Sequence, residues 1–292
     1  MIILLVPELE ALLSEVERPP STLSKLLARS QRRSLNPNTH LAELVTGQAI
    51  GSAAIARRAD RPGDAEGIWI HADPIHLRPD LNAVWTQSSR FDSLDQSLVA
   101  ELQSLFDDAG MAFDLTAPDR GYLRIDTLPS AGFKPPWELQ GQSLDHVLPS
   151  GEDAARWIGL LTECQIVLHQ HRSAEQQNPS GLWFWGPGQL PVDRPSARVS
   201  HLIGVSPILS GLAEWLSLSH SPEETGTGDN ALRLWQPDYQ LSAEQSLQQL
   251  DELIVPLWRR LKRGNTDALE LASREVVHRL ERLDAWRFWK RH

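Results

Sequence analysis

The stretch Asn178-Pro-Ser-Gly-Leu-Trp-Phe-Trp-Gly-Pro-Gly-Gln-Leu-Pro191 sets three consecutive aromatic residues between glycines. Its centre, Gly181 to Gly188, reads as a short aromatic strand ending in a glycine turn. On such a strand Trp183 and Trp185 share one face and Phe184 takes the other. Packing in a core is the simpler role for these rings, and a stacking surface for a ligand is the sharper one. Immediately upstream, a helical pattern begins at Glu152 and turns Ala155, Trp157, Ile158, Leu161, Cys164, Ile166 and Leu168 inward. Pro135-Pro136 and Pro149-Ser-Gly151 bracket a return loop before it.

Further from that centre, residues 2–6 (Ile-Ile-Leu-Leu-Val) predict a buried strand, and residues 8–16 and 21–33 predict helices. Ser21 and Thr22 stand where they could cap the second helix. Arg57 to Gly67 reads as a loop and a candidate domain boundary. Ile68-Trp-Ile70, Asn82 to Thr86 and Gly121 to Asp126 read as strands, and a helix opening at Asp92-Ser93 ends near Gly110. This strand–strand–helix–strand unit predicts a small α/β subdomain. Downstream, residues 201–219 give a strand start and a helix, and 221–229 are flexible by composition. Leu232 to Trp235 reads as a strand, and Ala243 to Lys262 as a helix interrupted or kinked by Pro256. Ala268–Ala272 and Val276–Leu283 fit strand or helix equally.

The 292 residues carry 28 basic and 38 acidic side chains, net −10, which argues against nucleic acid or an anionic membrane as partner. The single cysteine, Cys164, cannot form an internal disulfide and sits in an apolar helical pattern. The apolar start is too short for a signal peptide or a membrane span, so the expectation is a cytoplasmic protein.

Ala72-Asp-Pro-Ile-His-Leu-Arg-Pro-Asp80 is a dense polar cluster just after a strand. Asp73, His76 and Arg78 within it could bind a phosphate or perform acid–base work. The structural alternative has Asp73 capping the Pro74 turn and Arg78 pairing with Asp80 on the surface. His169 and His171, two apart in a helical pattern, do not share a face and predict no metal pair. Walker A, G-x-S-x-G, H-E-x-x-H, C-x-x-C and G-x-G-x-x-G motifs are all missing from the sequence.

Lys134-Pro-Pro-Trp-Glu-Leu-Gln-Gly141, Leu148-Pro-Ser-Gly151 and the 178–191 stretch, in that order, resemble elements of the archaeal-type 2,3-bisphosphoglycerate-independent phosphoglycerate mutases. Residues 66–126 are similar in pattern to the inserted domain of that family. Ala72-Asp-Pro-x-His-Leu together with Leu-Trp-Phe-Trp-Gly looks still more like the bacterial RpfE-type regulatory proteins. The resemblance implies an α/β fold: a trimmed alkaline-phosphatase-like core of residues 1–62 and 142–292, with a small α/β subdomain inserted at 63–141.

The departures from the mutase pattern bear on function. The first strand runs into Leu5-Val6-Pro7-Glu8, where the family has a metal-binding Asp-Gly. Leu44-Val-Thr-Gly-Gln48 offers no Ser-Asp nucleophile, Gln236-Pro-Asp-Tyr239 keeps only Asp238 of a ligand run, and Leu269 to Val277 holds no Asp-His pair. In the family, two divalent ions activate the serine and stabilise the transferring phosphoryl group.

The expectation is therefore a noncatalytic regulatory or binding protein without cofactor or metal, recognising a protein partner or an anionic small molecule. Its ligand-facing set would be Asp73, His76, Arg78, Arg124, Trp183 and Trp185, with Arg120 competing for the place of Arg124. The alternatives are an enzyme acting on a phosphorylated or anionic small molecule through Asp73 and His76, and an interaction module anchored by Trp286 and Trp289.

Overall fold

The structure, a computed structural model, describes residues 1–64, 66–80, 84–92, 96–139, 142–171, 179–223 and 230–286. In chain order its elements are β1 (Ile2–Leu5), α1 (Leu9–Ser14), α2 (Ser21–Arg29), β2 (Gln31–Ser34), α3 (His40–Thr46) and α4 (Ser52–Asp60). Then come β3 (Ile68–Pro79), β4 (Val84–Ser88), α5 (Gln96–Asp108), β5 (Ala112–Ala117), β6 (Arg120–Ile125), α6 (Leu144–Val147), α7 (Ala154–Gln170) and β7 (Gly181–Gln189). The chain continues through β8 (His201–Ile203), α8 (Pro207–Leu216), β9 (Ser219–Ser221), β10 (Ala231–Leu234), α9 (Ala243–Arg263), β11 (Ala268–Ala272) and β12 (Val276–Glu281). The fold is mixed α/β. It divides into two compact units, residues 1–49 with 194–292, and residues 50–193.

The first unit is built on a seven-stranded sheet in the order β2-β12-β11-β1-β10-β8-β9. β11, β1, β10, β8 and β9 run parallel; at one edge β12 is antiparallel to β11, and β2 is antiparallel to β12. All four residues of β1 are buried, as a central parallel strand covered on both faces requires. Ile2, Leu4, Leu269, Leu271 and Leu280 pack from the sheet against Leu23 and Leu26 of α2 and Leu247, Leu250, Ile254 and Trp258 of α9. α9 opens on a capping box, with Ser242 and Gln245 each accepting the other's backbone N–H, and stops at Gly264 in the left-handed region (φ 77°).

Three local expectations change here. The α2 helix ends at Arg29, and Gln31 to Ser34 leave it to pair with β12, taking the charged edge of the sheet. Neither Ser21 nor Thr22 caps it; the helix starts after Pro20, and the buried Asp251 carboxylate of α9 accepts the Leu23 N–H at 2.6 Å. Pro256 does not interrupt α9, because Pro256 and Glu252, whose carbonyl loses its partner, both face solvent. The ambiguous segments 268–272 and 276–283 resolve as an antiparallel pair of strands.

The second unit has an antiparallel sheet in the order β4-β3-β6-β5, with β7 along the other side of β3. α5 packs on β5 and α7, while α4 packs on β7 and β3. Phe106, Phe113, Phe133, Trp157 and Phe184 form its aromatic core through edge and tilted contacts. Along α7 the buried residues are Ala154, Trp157, Leu160, Leu161, Cys164 and Leu168, whereas Ile166 is exposed. Burial pushes the Cys164 thiol up to about 12.

β7 and the helices α4 and α7 complete the sheet and core of this unit. Gly186 and Gly188 do not end β7 in a turn. The strand passes through them to Gln189, with Gly186 at positive φ (60°) where the register on β3 shifts between Trp69 and His71. Gly188 lies against the backbone of Gly51, so close that a Cβ there would sit 2.6 Å from the Gly51 Cα. The glycines thus admit the start of α4. Among the described residues no helix is long and apolar enough to cross a membrane. Ser93, Asn82, Asn178, residues 224–229 and Trp289 lie outside the described residues.

Candidate functional site

In open parallel sheets, ligand chemistry gathers at the carboxyl ends of the strands. In the first unit those ends carry Glu8 after β1, Asp238 and Tyr239 after β10, and Ser273 and Arg274 after β11. The Tyr239 hydroxyl donates to Glu8 Oε1 at 3.1 Å, and Ser273 Oγ donates to Glu10 Oε1 at 2.7 Å. Asp238 is exposed and turned back to accept the Gln240 N–H at 3.0 Å.

Arg274 is half-buried beside them. Burial lowers its pKa, against the pull of Glu8 and Tyr239. His40, at the start of α3, is buried with Nδ1 2.8 Å from the Pro37 carbonyl. Burial, assisted by the charge of Arg274, brings its pKa to about 4, so the ring is neutral at pH 7. These residues do not fit a divalent metal pair. Glu8 is already bonded to Tyr239, and a fixed cation stands among the donors. No three His, Cys, Asp or Glu side chains among the described residues could hold an ion together.

In the second unit, β3, β6, β7 and α4 enclose a polar network. Asp73 accepts the Trp185 indole N–H at 2.7 Å and the Gly121 N–H at 3.4 Å. Burial raises its pKa to about 7, against both donors. The His71 ring stacks on Trp185 at 4.0 Å between centroids, and its Nδ1 lies 3.9 Å from Asp73 Oδ1. Neither ring nitrogen makes a hydrogen bond of normal geometry, although the nearby Ser52 backbone favours a ring proton. Burial, then the charge of Arg120, lowers the His71 pKa to about 3. Alongside, Asp60 accepts from the Tyr122 hydroxyl (2.8 Å), from Thr116 (3.0 Å) and from Arg120 (3.0 and 3.1 Å). Arg57 lies 3.8 Å over the Trp69 ring and pairs with Asp64 and Asp114.

Of the six residues expected to face a ligand, the structure joins two, Asp73 and Trp185. Strand alternation sends His76 and Arg78 to the other side of β3, where they pair in register with Gln87 and Trp85 of β4. Trp183 is buried, and its indole N–H is spent on the Lys134 carbonyl at 2.7 Å. Arg124 is exposed beside Gly67, and Arg120 is the arginine whose charge reaches Asp73. The sequence reading missed His71, Asp60 and Tyr122. His71 and Asp73 stand two apart on one strand, a spacing that shares a face, and that was the available signal.

Part of the chain is similar to cofactor-independent phosphoglycerate mutases. A probable 2,3-bisphosphoglycerate-independent phosphoglycerate mutase of Geobacter sulfurreducens is 40% identical over 63 residues, 20% of this chain and 16% of that protein. The 2,3-bisphosphoglycerate-independent phosphoglycerate mutase of Methanosarcina acetivorans is 35% identical over 63 residues, with the same shares. The match therefore spans about a sixth of each relative's length. No family model matches the chain. Among solved structures, the cofactor-independent phosphoglycerate mutase of Thermoplasma acidophilum aligns over 96% of this chain and 89% of its own, at 15% identity and a TM-score of 0.38. The PH0037 protein of Pyrococcus horikoshii aligns over 96% and 87%, at 9% identity and a TM-score of 0.41.

Proposed function

We propose that the chain is a cytoplasmic, noncatalytic regulatory or binding protein of the RpfE type, built on the alkaline-phosphatase-like framework of a cofactor-independent phosphoglycerate mutase. The observation that carries this reading is Arg274 at the carboxyl ends of the strands, beside Glu8 and Tyr239. A guanidinium is charged at every working pH. It gives Glu8 the positive neighbour that a divalent ion would otherwise be, and it opposes entry of such an ion. Two-ion phosphoryl transfer loses its electrostatics in such a setting, while recognition of an anionic ligand or an acidic side chain of a partner keeps them. The test is a thermal-melt series with Mn²⁺, Zn²⁺ and Mg²⁺, paired with an assay of phosphoglycerate interconversion by the metal-replete protein. The expected result is no metal-dependent shift and no turnover. Stoichiometric metal with turnover would overturn the reading.

A second reading, an enzyme for a phosphorylated or anionic small molecule, is favoured by the near-neutral pKa of Asp73, which suits a general acid or base. Its base pair would be Asp73 with His71 rather than with His76, since His71 is the histidine on the same face. Any turnover found would then have to vanish in Asp73→Asn without loss of fold.

A further inference from the structure

The first unit holds a second polar feature, on the β2-β12-β11 side of its sheet and toward the amino end of β1. A cleft of about 460 Å³ is lined there by Arg32, Arg33, Arg198, Arg279 and Glu270, with Gly47 at its rim. Three of these arginines, Arg33, Arg198 and Arg279, lie on the Glu270 face in a chain whose net charge is −10, while Arg32, in register with His278, alternates to the other face. Glu270 lies at the middle of the fully buried strand Ala268-Leu-Glu-Leu-Ala272 and is itself buried. Its Oε1 accepts from Arg198 at 2.5 Å and from Arg279 at 2.8 Å, while its Oε2 has no hydrogen-bond partner. A buried carboxylate oxygen without a donor is costly, and a ligand hydroxyl would satisfy it.

The arginines retain capacity beyond these bonds. Arg198 spends one donor on the Leu44 carbonyl and one on Glu270, and Arg279 spends its own on Glu270 and Glu281. A guanidinium has five N–H donors, so both are held in place with donors left over. Arg33, exposed on the edge strand β2, borders the same cleft with one donor held by Glu43, and Arg32 borders it from the His278 face of that strand. The site therefore offers several positive forks to an anion and one buried acceptor to a hydroxyl. Its volume fits a molecule larger than a lone inorganic ion.

We infer that this cleft binds a sugar phosphate, free or as the ribose-phosphate of a nucleotide, with the phosphate on the arginines and a sugar hydroxyl donating to Glu270 Oε2. The binding is independent of the strand-end cluster around Arg274, and it holds or fails whatever the metal series gives.

The experiment is calorimetric titration of the full chain at low salt with ribose 5-phosphate, AMP, inorganic phosphate and ribose. Ribose 5-phosphate or AMP should bind saturably and about tenfold or more tighter than inorganic phosphate, with ribose alone failing to bind. Equal binding of the two esters assigns the site to the sugar phosphate alone, and preference for AMP assigns it to a nucleotide. Arg33→Ala, on the exposed edge, should weaken the ester by about tenfold while leaving the melting curve in place, and Arg32→Ala, on the opposite face of the same strand, should weaken it less. Glu270→Gln should bring the ester down toward the affinity of inorganic phosphate. Should that variant not fold, the comparison of ester with phosphate in the parent protein decides the same point. Esters binding no tighter than phosphate, no saturable binding at millimolar ester, or unchanged affinity in Arg33→Ala would overturn the inference and leave the arginines as protection of an open sheet edge.

Discussion

Replacing Asp73 by Asn should stabilise the protein, and the gain should depend on pH. Asp73 carries a folded pKa of about 7 against its ordinary value of 3.8, because burial outweighs the Trp185 and Gly121 donors. An acid whose folded pKa is raised favours the fold most when protonated in both states. Its contribution is complete below about pH 4, declines as the unfolded chain ionises first, and is gone once the pH passes about 7. At 1.36 kcal/mol per unit, the full decline is about 4 kcal/mol. Asn presents the same acceptor to the Trp185 indole but cannot ionise. It forfeits only the long 3.4 Å contact with Gly121. Urea denaturation of both proteins from about pH 4 to about pH 8 should therefore find them within about 1 kcal/mol at the acid end. The variant should lead by about 3 kcal/mol at the alkaline end. His71 declines in the opposite sense, losing stability as pH falls through about 6.5 toward about 3, so the parent curve should be flattened between pH 4 and 6.5 and the variant's should slope. A difference between the two proteins that does not change with pH would refute the assignment of a buried carboxyl with a raised pKa at Asp73.

Three further outcomes follow from the same structure. Arg274→Ala should raise the pKa of His40 above about 4 while leaving it below 6.5, since burial is the larger cause, and an NMR titration of the imidazole reads this directly. An unmoved His40 would separate Arg274 from the strand-end cluster. Gly51→Ala should cost about 3 kcal/mol or more, because its methyl would meet the Pro187 carbonyl, a backbone atom with no rotamer to yield; an unchanged denaturation midpoint would mean that α4 does not seat on β7 as described. Asp251→Ala should cost about 1–3 kcal/mol by orphaning the Leu23 N–H and should leave α2 with the lowest hydrogen-exchange protection of the first unit.

The elements were legible where a single physical signal sufficed. Ile2 to Leu5 is apolar at every position, and only a strand covered on both faces buries it that way. Ala243 to Lys262 reads as a helix, and the structure holds it as α9 between the Ser242–Gln245 capping box and Gly264. Failures came where a distant group decided the matter. Gln31 to Ser34 continues a helical pattern, and only the neighbouring β12, some 245 positions later, makes it a strand. The start of α2 is capped by Asp251 rather than by its own serine and threonine, and no local reading could supply that partner. The glycines after Trp185 read as a turn because glycine usually marks one. Here they serve a close approach to Gly51, a use of the same missing side chain that depends on knowing what lies opposite.

The candidate sites were less legible for a related reason. The cluster at Asp73, His76 and Arg78 was noticed because its residues are near one another in sequence, but strand alternation separates neighbours and joins residues two apart. His71 was passed over beside Trp69 and Ile70 as part of an apolar strand, yet it is His71 that stacks on Trp185 next to Asp73. Conversely, Glu270 in Ala-Leu-Glu-Leu-Ala is a lone charge in a buried strand, a local oddity that sequence could have flagged, because a buried carboxylate demands partners. Its partners are Arg198 from the chain ahead of β8 and Arg279 from β12, so the anomaly was visible while its resolution was not. Under the proposed function, departures from the mutase pattern mark the chemistry that has gone from one end of the sheet. An unexplained charge inside a buried strand says where a different one can be sought, and Glu270 places that search at the opposite end from Arg274.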